Sequence, residues 1–100
     1  MKITINDVKY EVIEKNDDID QELLSEKITD YFDSFDYILG DFAYGKLRLK
    51  GFNDKSNKNF KQINDIEKVH DYLKKSCAYG CKYFILKRIK NNWKWLIGLL

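Results

Sequence analysis

The chain has 100 residues, enough for one domain over 1–100 with a single core, and its 44% hydrophobic content excludes a disordered chain although 34% of the residues are charged. No apolar run reaches the roughly 18 residues of a membrane span, and MKITINDVKY lacks the apolar stretch of a secretion signal, so the expected location is the cytoplasm. The net charge of +2 hides a division: residues 1–45 carry four lysines against twelve carboxylates, a balance of −8, and residues 46–100 carry fourteen Lys or Arg against four, a balance of +10. Such asymmetry points to a polyanionic partner for the basic half, unless the two halves interleave in the fold and pair.

KITIND and VKYEVIEK alternate with a period of two. Ile3 and Ile5, then Val8, Tyr10 and Val12, mark half-buried strands. Asn6 and Asp7 between them tolerate positive φ and predict a two-residue hairpin turn. The period then changes. Leu24, Ile28, Tyr31, Phe32 and Phe35 predict one helix through NDDIDQELLSEKITDYFDSF, with Asp18 or Asp20 as its cap. DYILGDFAYGKLRLKGF reads as two strands around a turn at Gly45, with Leu47 and Leu49 on one face and Lys46, Arg48 and Lys50 on the other. NDKSNKNFKQ is polar and reads as an exposed loop. NDIEKVHDYLKKSCAYG predicts the second helix, striped by Ile66, Val69, Leu73 and Cys77, with Asn64 as cap. CKYFILKRIK is a strand, and NNWKWLIGLL adds an extra C-terminal strand or helix. The order ββαββαβ predicts an α+β class: one two-layer domain with a mainly antiparallel sheet and both helices over one face.

The basic strand row is the foremost candidate surface. Lys46, Arg48 and Lys50 share a face, Lys87 and Arg88 lie on another strand, and Phe42 and Tyr44 are nearby in sequence. Cations beside aromatic rings suit phosphate and base contacts, so the leading reading is a non-catalytic binding domain for an anionic partner, RNA first. A second reading is a protein-interaction or self-association module using Trp93, Trp95, Ile97 and Leu99 of the apolar C-terminal segment 93–100. A third is a thiol-dependent redox protein using Cys77 and Cys81. Against it, Gly80 suits a helix end, where the dipole opposes thiolate formation, and two buried small cysteines are the simpler account. Zinc is not expected, because His70 is the single histidine and lies two helical turns before Cys77. Asp36 and Asp41 flank YILG as turn caps or as paired carboxylates. Gly40, Gly45 and Gly51 match no phosphate-loop or dinucleotide pattern. No metal, cofactor or catalytic residue is assigned.

Two separated blocks carry a family resemblance. Gly40, Asp41, Phe42 and Tyr44 lead into the unbroken run from Leu47 to Phe52; Cys77, Gly80, Cys81, Tyr83, Phe84 and the basic pair Lys87-Arg88 follow in order. In these features the chain resembles the YutD-like family, small bacterial proteins of unassigned function, most strongly over residues 35–90. It departs at Ala43, where the family usually has glycine, and at Phe42, where it usually has tryptophan. The resemblance implies an α+β domain and no reaction, since it supplies no catalytic residues to carry over.

Overall fold

A computed structural model describes residues 1–43, 45–76 and 81–89. Its strands are β1 (Lys2–Ile5), β2 (Val8–Lys15), β3 (Tyr37–Ala43), β4 (Lys46–Phe52) and β5 (Tyr83–Arg88). Its helices are α1 (Gln21–Lys27) and α2 (Val69–Ser76), with short 3-10 turns at Asp30–Ser34, Gln62–Asn64 and Ile66–Lys68. The strands form one antiparallel sheet in the order β1-β2-β5-β3-β4. This is the expected ββαββαβ order and α+β class. The extra C-terminal element expected in NNWKWLIGLL lies outside the described residues.

Alternation decides the packing. Along β3, Ile38 faces one side while Tyr37 and Leu39 face the other, and β5 divides likewise into Phe84 and Leu86 against Ile85. Two central strands buried on both faces need cover on both. Leu24 of α1 and Ile28 after it close the first side, together with Ile3, Ile5 and Tyr10; Val69 of α2 and Phe52 close the second. The helices therefore divide between the two faces, where the sequence places both on one. Gly40 is required by this core: the Phe84 ring lies against it where a β-carbon would collide.

Local chemistry sets the boundaries. Asn6 and Asp7 turn the β1–β2 hairpin at φ 50° and 67°, as expected. The Asn6 side-chain amide then donates to the carbonyls of Ser25 and Ile28, both at 3.0 Å, tying the hairpin to the end of α1. Asp20 caps α1 by accepting from Leu23 N–H at 3.1 Å. The single long helix expected after it is interrupted, because Ile28 and Thr29 adopt extended backbone. The 3-10 turn beyond keeps Phe32 and Phe35 on one side, and their three-residue spacing fits an α-helix as well as this turn. At the start of the second helical segment the cap is Asp65, which accepts from Glu67 N–H at 3.0 Å; Asn64 instead accepts from Lys61 N–H at 2.8 Å. The expected stripe of Ile66, Val69 and Leu73 does face the sheet.

β2 carries a bulge between Val12 and Glu14. The extra residue, Ile13, is left exposed, and Glu14 is turned to the α2 face. There Glu14 accepts hydrogen bonds from the Tyr83 hydroxyl and pairs with His70 Nε2 at 2.8 Å, joining β2, β5 and α2. The Tyr83 hydrogen bond is the main reason the Glu14 carboxyl titrates below its ordinary 4.5. A depressed carboxylate stabilises the fold above its unfolded-chain value and stops doing so as pH falls through the lower folded value. Glu14→Gln should therefore cost about 0.5–1 kcal/mol at neutral pH, the low end because the group is largely solvated. In urea unfolding at several pH values, the gap between wild type and variant should close below pH 4.5. A gap that persists in acid would contradict this role.

Candidate functional site

The fold divides the basic and aromatic residues singled out in the sequence. Lys46, Arg48 and Lys50 project from one face of β4, and Lys87 from the same face of β5. Phe42 and Arg88 project from the opposite face. Phe42 packs against the core beside α1, and Arg88 donates to the Asp33 carbonyl at 2.6 Å. Within the basic row the cations are differently engaged. Arg48 makes a two-pronged bond to Asp41, Nε to Oδ1 at 3.0 Å and Nη2 to Oδ2 at 2.7 Å, across a directly paired position of β3. The Asp41 side chain is 4% exposed, so Arg48 is the counter-ion of a buried carboxylate. Lys50 Nζ lies 5.5 Å and 5.3 Å from the ring centres of Phe52 and Tyr72, and Lys87 Nζ lies 5.9 Å from that of Tyr37. Lys46 is exposed.

Asp36 and Asp41 do not meet as a carboxylate pair: Asp41 holds Arg48, while Asp36 accepts from Asp54 N–H at 3.0 Å. Cys81 is half-buried and disulfide-bonded, so the expectation of a small buried thiol fails at this position. Tyr44, Cys77, Trp93, Trp95, Ile97 and Leu99 lie outside the described residues. Among the described residues no group of three His, Cys, Asp or Glu side chains could hold a metal ion, and no helix is long and apolar enough to cross a membrane.

A different surface is assembled at the outer edge of β4. Phe35 lies on Gly51, where any β-carbon would collide with its ring, and Tyr31 and Phe32 meet Phe35 and each other at centroid distances of 5.1 to 6.2 Å. These rings form one wall of a groove of about 570 Å³. Leu49, Lys50 and Gly51 form its floor, and Lys58 to Lys61 with Ile63 and Asn64 form the other wall. Tyr31 is 65% exposed and Ile63 76%, large apolar groups that the fold leaves in water. Lys50, Lys58 and Lys61 rim the groove, and no carboxylate lines it.

The second wall is held by a residue the sequence assigns to an exposed loop. Asn53 is completely buried. Its Oδ1 accepts from Asp36 N–H at 2.8 Å and from the Asn57 amide at 3.0 Å, and its Nδ2 donates to the Asn59 carbonyl at 3.4 Å. Its backbone N–H donates to Asn64 at 2.7 Å, and its carbonyl accepts from Ile66 at 3.1 Å. The segment is polar because an Asn hub organises it, so polarity alone misreads it as solvated. The signal that could have found the groove is Phe60 and Ile63, two large apolar side chains inside an otherwise polar run.

Comparison with known proteins is concordant. A family model described as "Putative antitoxin YutD-like" matches residues 4–87. A Bacillus subtilis (strain 168) protein named "Putative antitoxin YutD" is 36% identical over 89 residues, covering 88% of this chain and 98% of the relative. The solution NMR structure of protein yutD from B. subtilis matches with a TM-score of 0.73 at 35% identity, over 91% of this chain and 84% of that one.

The geometry of the basic row yields a contrast between neighbours. Arg48→Ala leaves the Asp41 carboxylate buried without its partner and should cost on the order of 3 kcal/mol in urea unfolding. Lys46→Ala removes only an exposed cation and should change stability by less than about 0.5 kcal/mol. Equal, small effects would show that the Asp41–Arg48 pair does not hold β3 to β4.

Proposed function

The chain belongs to the YutD-like family, and on that premise we propose that it is a binding domain with no reaction of its own, which docks a protein partner in the groove at the β4 edge. The observation that carries this reading is the groove itself. Rings and an isoleucine left in water beside three lysines form an apolar centre with a charged rim, the layout of a protein contact surface. The relative's name, "Putative antitoxin YutD", agrees in kind with a partner-binding role.

RNA on the basic strand face is the second reading, supported by exposed Lys46 and by Lys50 and Lys87 on the same side of the sheet. It draws less support because Arg48 holds Asp41, Lys50 and Lys87 rest near rings, and Phe42 and Arg88 face the other way. A redox role for Cys77 and Cys81 has only the Cys81 disulfide in its favour. The test is capture from extracts of the native host after nuclease treatment. Wild type should retain a protein in stoichiometric amount, and the double variant Lys58→Glu/Lys61→Glu, at unchanged melting temperature, should lose it by about tenfold or more. Loss of all bound material on nuclease treatment would transfer the function to the RNA reading.

A further inference from the structure

The backbone at the groove floor has a direction. Arg88 N–H donates to the Asp36 carbonyl and Phe42 N–H to the Lys82 carbonyl, so Ile38, Gly40 and Phe42 turn their backbone groups to β5, while Tyr37, Leu39 and Asp41 turn theirs to β4. Their partners Phe52, Lys50 and Arg48 accordingly face β3, and Leu47, Leu49 and Gly51 direct N–H and C=O to the outside. Asn53 shares that outward direction, and there the edge is occupied: its N–H and C=O bond the 64–66 segment, which runs parallel to it. Among the described residues nothing continues that pairing along Gly51, Leu49 and Leu47. The open stretch of edge borders the aromatic groove, and both are flanked by Lys46, Lys50, Lys58 and Lys61, none of which has a carboxylate within ion-pair distance among the described residues.

We infer that this edge receives an extended acidic segment of the partner as a sixth strand, bonded through Leu49 and Gly51, its carboxylates over Lys46 and Lys50 on the face away from the groove and its apolar side chains in the groove that Lys58 and Lys61 line. This rests on the reading of the chain as a partner-binding domain. Alternation gives the segment its composition. One set of side chains enters the groove and is apolar; the set facing the lysine row is Asp or Glu. A second copy of β4 is a poor occupant, because antiparallel pairing of two copies sets Lys46 and Lys50 of each on one face of the joined sheet, where they repel.

The probe is a labelled peptide of alternating Glu and Val, blocked at both ends, titrated against the isotope-labelled full chain. Three comparisons accompany it: the same peptide N-methylated at every second residue, its Lys-for-Glu counterpart, and single-stranded oligouridylate. The acidic peptide should bind, shift the Leu49 and Gly51 amide signals, and weaken as salt rises. N-methylation removes the backbone donors without altering the charge and should cost about tenfold or more in affinity, since several hydrogen bonds are lost together. The Lys counterpart should not bind. Equal binding by the methylated peptide would reduce the contact to charge attraction and overturn strand addition, as would shifts confined to other residues or tighter binding by oligouridylate. If the peptide fails while Lys58→Glu/Lys61→Glu still abolishes capture of the native partner, the strand mode is wrong and the groove reading stands. If the variant captures as well as wild type, the groove reading falls with it.

Discussion

The side chain of Asn53 is the contact on which the groove at the β4 edge depends. It stands where β4 ends, fully buried, and the residue bonds groups from three places: the start of β3, the loop through Asn57 and Asn59, and the 64–66 segment paired with its backbone. Removing such an amide would leave several buried partners unpaired at once, a larger penalty than the bonds themselves contribute. The consequence runs outward. A loop anchored at Asn53 presents Phe60, Lys61 and Ile63 as a wall, and that wall opposite Tyr31, Phe32 and Phe35 makes a groove of what would otherwise be a bare sheet edge.

The charge division along the chain closes on itself in part. Asp41 with Arg48, Glu14 with His70, Asp17 with Lys82 and Asp33 with Arg88 each join the acidic half to the basic half. Most of these pairs lie at the surface and add little stability, but they neutralise cations that a linear reading counts as available. Lysines without such partners then matter more by position than by number. Lys50, Lys58 and Lys61 come together because β4 and the loop after it share one edge of the sheet, and Lys46 stands at the far end of that strand.

Element type and order are legible in the sequence because they rest on local rules. The period-two strands, the Asn6-Asp7 turn, the Asp20 cap and the opposition of Leu47 and Leu49 to the lysine row all hold. What was not legible depends on distant contacts. The bulge at Ile13 re-aims Glu14; VKYEVIEK does break its alternation there, since Val12 and Ile13 are both apolar, but a doubled apolar pair does not by itself say which residue the partner strand leaves unpaired. The extent of the first helix fails at Ile28 and Thr29, because i, i+3 spacing serves a 3-10 turn equally well. The division of the helices between the faces follows from two-sided burial of β3 and β5, which becomes decisive only when both are known to be central. The groove escaped because its second wall is written in polar residues whose burial is set by Asn53.

On the proposed reading the partner engages the outer edge of β4 and not the basic face of the sheet. Hydrogen exchange separates the two most directly, because the outward amides of Leu49 and Gly51 have no partner strand among the described residues, whereas the amides of Lys50 and Phe52 are already bonded to β3. Exchange is to be followed by mass spectrometry on the chain alone and on the chain held in its native complex. Exchange should slow in the complex within Leu47–Gly51 and in the 58–63 wall, with the segment around Tyr37 and Lys87 unchanged. Protection centred on Tyr37 and Lys87, with Leu49 and Gly51 exchanging as in the free chain, would contradict this reading.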